Sequence, residues 1–170
     1  MNMQRPAYFA FLPAFLFRPE SPIAYILKAW PLVLLPSMLL SALVNFALPS
    51  AQAPDVSVAT PQLIWMLVLG APLIETAIML VPLLILNRLF GAMPAAVLSA
   101  IGWGIAHSLA APIWGLVVWW PFLIFSIALI VWKERSLIAG YFIVSAVHAL
   151  QNGFAALLLI GLAPGGPLTS

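Results

Sequence analysis

Along the chain, long apolar stretches alternate with short polar or proline-containing breaks. Five stretches, at about 29–48, 62–87, 92–111, 113–132 and 136–162, are long enough to cross a bilayer as helices, because roughly 20 helical residues span its ~30 Å hydrocarbon core. The breaks have physical causes. Pro49 to Pro61 is a polar loop containing Asp55, and Asn87-Arg88 ends the second span. Pro112 divides the third span from the fourth, and Lys133-Glu134-Arg135 divides the fourth from the fifth. The tail from Ala163 to Ser170 consists of turn residues with nothing to pack, and is expected to be loose.

The first 28 residues read differently. The apolar run from Pro6 to Phe17 is interrupted by Pro13 and ends in Arg18-Pro19-Glu20 without a small-residue cleavage site, so it does not read as a secretory signal. A helix of that length reaches only about 18 Å. Residues 1–28 are therefore expected to form an interfacial or re-entrant segment anchored by Tyr8, Phe9 and Arg18. A single transmembrane helical domain follows over 29–162.

Composition turns the pattern into a fold class. Of 170 residues, 65% are hydrophobic and only 6% charged, against about a quarter charged in ordinary soluble domains. So few charges cannot cover a surface in water; the solvent is lipid and the class is all-α integral membrane. The basic residues are scattered singly, which argues against a nucleic-acid partner. There are no cysteines, so disulfides, thiolate metal sites and cysteine nucleophiles are excluded.

Charge also orients the chain. Threading five spans puts Arg5, Arg18, Lys28, Arg88, Lys133 and Arg135 on one side and no Lys or Arg on the other. By the positive-inside rule that side is cytoplasmic, with the N-terminus in and the C-terminus out. One helix more or fewer would scatter these charges over both sides. The expected location is a bacterial plasma (inner) membrane, crossed several times. No internal repeat is visible, so an inverted-repeat transporter gets no support.

Inside the spans stand only three ionisable side chains, Glu75, His107 and His148, on the second, third and fifth helices. Such groups cost at least ~2–3 kcal/mol to bury in hydrocarbon and are functional candidates by default. Asn152 lies one turn after His148 on the same face. Ala92, Ala96, Ala100, Gly104 and Ser108 form a small-residue ladder beside His107, and Ser145, Ala149, Gly153 and Ala156 form another beside His148. Such ladders let helices approach closely in lipid, so the polar faces are expected to look inward. Pro72, one turn before Glu75, is expected to deprive the Val68 carbonyl of its helical partner.

These residues resemble the CPBP family, the CAAX-prenyl-protease and bacteriocin-processing (Abi) intramembrane proteases. That family carries EExxxR, then FxxxH, then HxxxN or HxxxD on separate helices. Here the corresponding segments are Glu75-Thr-Ala-Ile-Met-Leu80, Trp103-Gly-Ile-Ala-His107 and His148-Ala-Leu-Gln-Asn152. The likeness covers roughly residues 62–160. The first motif is degenerate: Thr76 stands for the second glutamate and Leu80 for the arginine. If those two groups normally satisfy one another, losing both leaves no unpaired buried charge.

The resemblance implies a metal-independent endopeptidase without cofactors. Glu75 would be the general base, His107 would orient the attacking water, and His148 with Asn152 would stabilise the oxyanion. The implied substrate is a lipidated or membrane-embedded peptide. The residues by themselves leave other readings open. A catalytically inactive relative could act as an accessory or assembly subunit among other membrane protein subunits. Two histidines and a glutamate could hold zinc, although no HExxH is present. A proton relay would need a polar path to both faces, and beyond Asn45, Asn87 and scattered serines the spans offer little. Ser99 and Ser108 lack a Lys or Asp partner in the spans, which argues against a serine protease.

Overall fold

The computed structural model describes residues 5–49 and 60–162. Five helices carry the fold: α1 (Pro22–Ala47), α2 (Pro61–Phe90), α3 (Ala92–Ala110), α4 (Gly115–Lys133) and α5 (Leu137–Leu162). All five are long and apolar enough to cross a membrane. No strand occurs among the described residues. The expected tail, and the loop with Asp55, lie outside the described residues.

The second to fifth helices fall where the apolar pattern put them, to within a few residues. The first begins at Pro22 rather than at 29. Proline is favoured at the first helical position, where its missing N–H has no intrahelical partner to lose. Lys28, which reads as a boundary, sits inside the helix and bonds Glu20 Oε2 at 2.7 Å.

The segment before α1 is packed onto the bundle. Its two 3₁₀ turns, Ala7–Phe9 and Ala14–Phe17, bury Phe9, Leu16 and Phe17, and Leu12 between them is buried too, while Tyr8 and Arg18 stay exposed. The Tyr25 hydroxyl donates to the Leu16 carbonyl at 2.9 Å, and the Tyr25 ring meets Trp132 edge-on at 5.4 Å. Arg135 donates to the Glu20 carbonyl at 3.0 Å. These ties join the N-terminal turns, the start of α1 and the end of α4.

Helix α4 is the axis of the bundle. Every residue from Pro121 to Trp132 is buried. The other four helices pack around it, with α2 between α3 and α5, and α1 against α5. Their outer faces expose Leu39, Phe46, Ile78, Ile105 and Phe142, the surface expected where the solvent is hydrocarbon.

Proline leaves its mark on this packing. Pro36 cannot donate to the Leu32 carbonyl, one turn earlier. That carbonyl accepts instead from Trp120 Nε1 of α4, at 2.9 Å. A side chain thus replaces the missing backbone donor.

Close approach fixes the α3–α4 hairpin. A Cβ built on Gly115 would fall inside contact distance of the Gly104 carbonyl and Ser108 Oγ, whereas one on Gly102 would meet nothing. Backbone cannot move aside as a flexible side chain can. Gly115→Ala is therefore expected to cost about 1–3 kcal/mol through forced helix separation. Gly102→Ala should be neutral or stabilising by up to ~1 kcal/mol. Thermal unfolding in detergent checks both, and equal unfolding temperatures for the two variants would refute the tight-hairpin account.

Candidate functional site

Helix α2 is not regular. Met66–Gly70 forms a π turn, in which the Ala71 N–H reaches back to the Met66 carbonyl. That leaves the Leu67 carbonyl without its ordinary donor, because Ala71 is engaged elsewhere. In the π register its donor would be residue 72, which is proline and has none. Asn152 Nδ2 of α5 donates to this carbonyl at 2.9 Å. The sequence pointed to Val68 as the carbonyl freed by Pro72; the one captured across the interface lies one residue earlier, because of the π turn.

Past the break, α2 presents two faces. Pro72, Thr76, Met79 and Leu83 are buried. Glu75, a third of a turn away from Thr76, stays partly exposed and points its carboxylate at α5. Glu75 Oε2 lies 3.8 Å from His148 Nε2, with side chains 25% and 7% exposed respectively. This is too long for a hydrogen bond, yet it is the one acid–base approach within 4 Å that has both partners inside the described spans.

The His148 ring is held by aromatic packing. Phe125 lies 4.7 Å from it and Phe122 5.7 Å, centroid to centroid. Its Nδ1 is buried without a partner, so Nε2 is the working nitrogen. Facing a carboxylate, that nitrogen is a donor.

His107 approaches from α3. Its Nδ1 lies 2.9 Å from the Trp103 carbonyl. A carbonyl only accepts, so Nδ1 carries the proton and Nε2 of the neutral ring is an acceptor. The Phe122 ring touches both imidazoles, 5.4 Å from His107 and 5.7 Å from His148, and stacks on Trp103 at 4.4 Å. The four residues singled out from the sequence are linked in pairs: Glu75 approaches His148, and His107 and His148 share the Phe122 ring, while Asn152 lies one turn along α5 from His148. Glu75 and His148 meet directly, Asn152 is tied to α2 backbone, and His107 joins through the shared aromatic wall.

Sequence reading passed over several members. Tyr141, Ser145, His148 and Asn152 recur at i, i+4, i+7 and i+11, a polar stripe along one face of α5. The Tyr141 hydroxyl donates to the Leu73 carbonyl at 3.0 Å, and the Ser145 hydroxyl is buried without a partner. Phe122 and Phe125 carry no signal in an apolar sequence. Deeper in the bundle, Ser126 Oγ lies 2.9 Å from Ser99 Oγ and 3.5 Å from Met79 Sδ, so Ser99 is a link between α3 and α4.

Among the described residues, no three His, Asp or Glu side chains lie close enough together to hold one metal ion. Comparison with known protein families, curated proteins and solved structures gives no match to this chain.

Thr76 generates a test. Its hydroxyl is 1% exposed and unpartnered, and a buried unpaired polar group carries a desolvation penalty of about 1–3 kcal/mol. Thr76→Val keeps the shape and removes that group, so it should leave the unfolding temperature unchanged or raise it. A marked fall would mean that the hydroxyl has a partner, such as a buried water.

Proposed function

We propose that this chain is an intramembrane peptidase of the CPBP type, acting on a lipidated or membrane-embedded peptide. The observation that carries the reading is the approach of the Glu75 carboxylate to His148 Nε2 at 3.8 Å, with one group half-shielded and the other buried inside the bundle. A water hydrogen-bonded to both atoms at ~2.8 Å each fits beside such a pair.

The chemistry needs no further group. Glu75 takes a proton from the water as its oxygen attacks the scissile carbonyl carbon. The His148 Nε2–H, in low dielectric, donates to the oxyanion that forms. The proton held by Glu75 then passes to the amide nitrogen as the C–N bond breaks. His107, with an accepting Nε2, orients the water. Asn152, one turn from His148 on α5, donates to the Leu67 carbonyl and so holds α2 beside the pair.

A second reading has its own observation. Where the resembling motif has a glutamate and an arginine, this chain buries Thr76 without a partner and places Leu80 against the core. Such a site suits a relative that has kept the fold as an accessory or assembly subunit of a membrane complex. The protein purified into liposomes should cleave prenylated or single-span test peptides. Glu75→Gln and His148→Ala should each lower the rate by about 10²-fold or more. Wild type and both variants alike inert on every peptide would favour the accessory role.

The same reading places the N-terminus and the charged helix ends in the cytoplasm of a bacterial cell, across its inner membrane. The chain lacks cysteine, so single cysteines report sidedness cleanly. Ser136→Cys should resist a membrane-impermeant maleimide in intact spheroplasts, and Pro112→Cys should react. The reverse pattern would invert the topology.

A further inference from the structure

We infer that Asn152 is a positioning residue, whose amide replaces the N–H missing at Pro72 and thereby holds the π turn that aims Glu75 at His148. The inference concerns geometry within this chain and stands whether or not a peptide is cleaved.

Three observations meet here. The Ala71 N–H is bonded to Met66, residue 72 is proline, and Asn152 Nδ2 sits 2.9 Å from the Leu67 carbonyl those two leave free. In the apolar surroundings of a membrane span an unpaired carbonyl is costly, so a donor from α5 is strongly favoured at this position. Gly153, the next residue, also faces α2, and a Cβ added there would rest in ordinary contact with Val68 Cγ1 at 3.8 Å, so the approach does not depend on the glycine.

The turn matters because of helical phase. On a regular α-helix, Leu67 and Glu75 would stand about 80° apart around the axis. A π turn accommodates one extra residue and winds the following helix back by up to about 100°. Leu67 and Glu75 are thereby brought towards one face, opposite the i, i+4 pair Asn152 and His148. One α5 face grips α2 at two heights, on backbone at Leu67 and on side chain at Glu75. Loss of the grip at Leu67 frees the π turn, and Glu75 then shifts from His148 as far as the Tyr141 bond to the Leu73 carbonyl allows.

The test uses the full chain in detergent micelles. Asn152→Leu should lower the unfolding temperature by roughly 2–10 °C, the loss expected from stranding one buried carbonyl. Pro72→Ala restores a backbone donor for Leu67, so in that background Asn152→Leu should cost much less. Equal losses in both backgrounds would overturn the proposal. Rotation of Glu75 is read separately, from the ring ¹⁵N resonances of the chain's two histidines, assigned through His107→Gln. Asn152→Leu should shift the His148 Nε2 signal in the sense that Glu75→Gln shifts it, and adding Pro72→Ala should return it. A His148 signal that follows Glu75→Gln but not Asn152→Leu would reduce Asn152 to a structural tie. Should Pro72→Ala fail to fold, the comparison of Asn152→Leu with Glu75→Gln decides alone.

Discussion

At two of the prolines inside these membrane helices, Pro36 and Pro72, a stranded carbonyl is met by a side chain from a neighbouring helix, and those two contacts set how the helices face one another. Hydrocarbon offers no hydrogen bond, and a buried unpaired polar group costs a few kcal/mol. Pro36 strands Leu32, and an indole N–H from α4 answers at 2.9 Å. The π turn and Pro72 together strand Leu67, and an amide from α5 answers at the same distance. In each case a defect in one helix creates a directional contact to another. Apolar packing supplies most of the contact area but little direction; these bonds fix which residues face each other.

The two defects differ in consequence. The first ties α1 to the central helix beside Trp120, where the neighbouring side chains are apolar. The second lies less than three turns from the one buried-pair approach of ionisable groups in the spans, Glu75 to His148. A kinked, π-interrupted α2 brings its carboxylate to a face already carrying a polar stripe. π turns inside helices are frequent at functional sites, and the physical reason is visible here: an extra residue lets one helix present two registers to the same neighbour. The aromatic wall of Phe122, Phe125 and Trp103 then limits where both imidazoles sit.

Much of this was legible from residue pattern. Five helices follow from apolar runs closed by Arg88, Pro112 and the Lys133–Arg135 cluster, and the inward faces of α3 and α5 follow from their small-residue ladders. Glu75, His107, His148 and Asn152 stand out because charge and amide are rare in such a sequence. What stayed hidden has a common cause. Helix periodicity locates faces but not partners, so nothing in the order of residues says that α4, rather than another equally apolar helix, becomes the axis. The start of α1 was obscured because Lys28 looks like a boundary until Glu20 is seen beside it. A π turn has no sequence signature as sharp as proline itself, so the Leu67 carbonyl stays hidden beside the Val68 carbonyl to which Pro72 points.

The absence of a second acidic residue and a basic one beside Glu75 bears on how the site is held. A carboxylate next to a buried ion pair can be fixed by charge. Here Thr76 and Leu80 follow Glu75 on α2, and among the described residues no Lys or Arg lies within ion-pair distance of it. Aim must then come from the backbone, and the described contacts supply it twice: Asn152 on Leu67 and Tyr141 on Leu73, one on either side of Pro72. Neutral hydrogen bonds to carbonyls need no counter-ion and avoid the desolvation penalty of a buried charge pair. A membrane helix can thus present one half-buried carboxylate with a defined direction while keeping the rest of the seam uncharged.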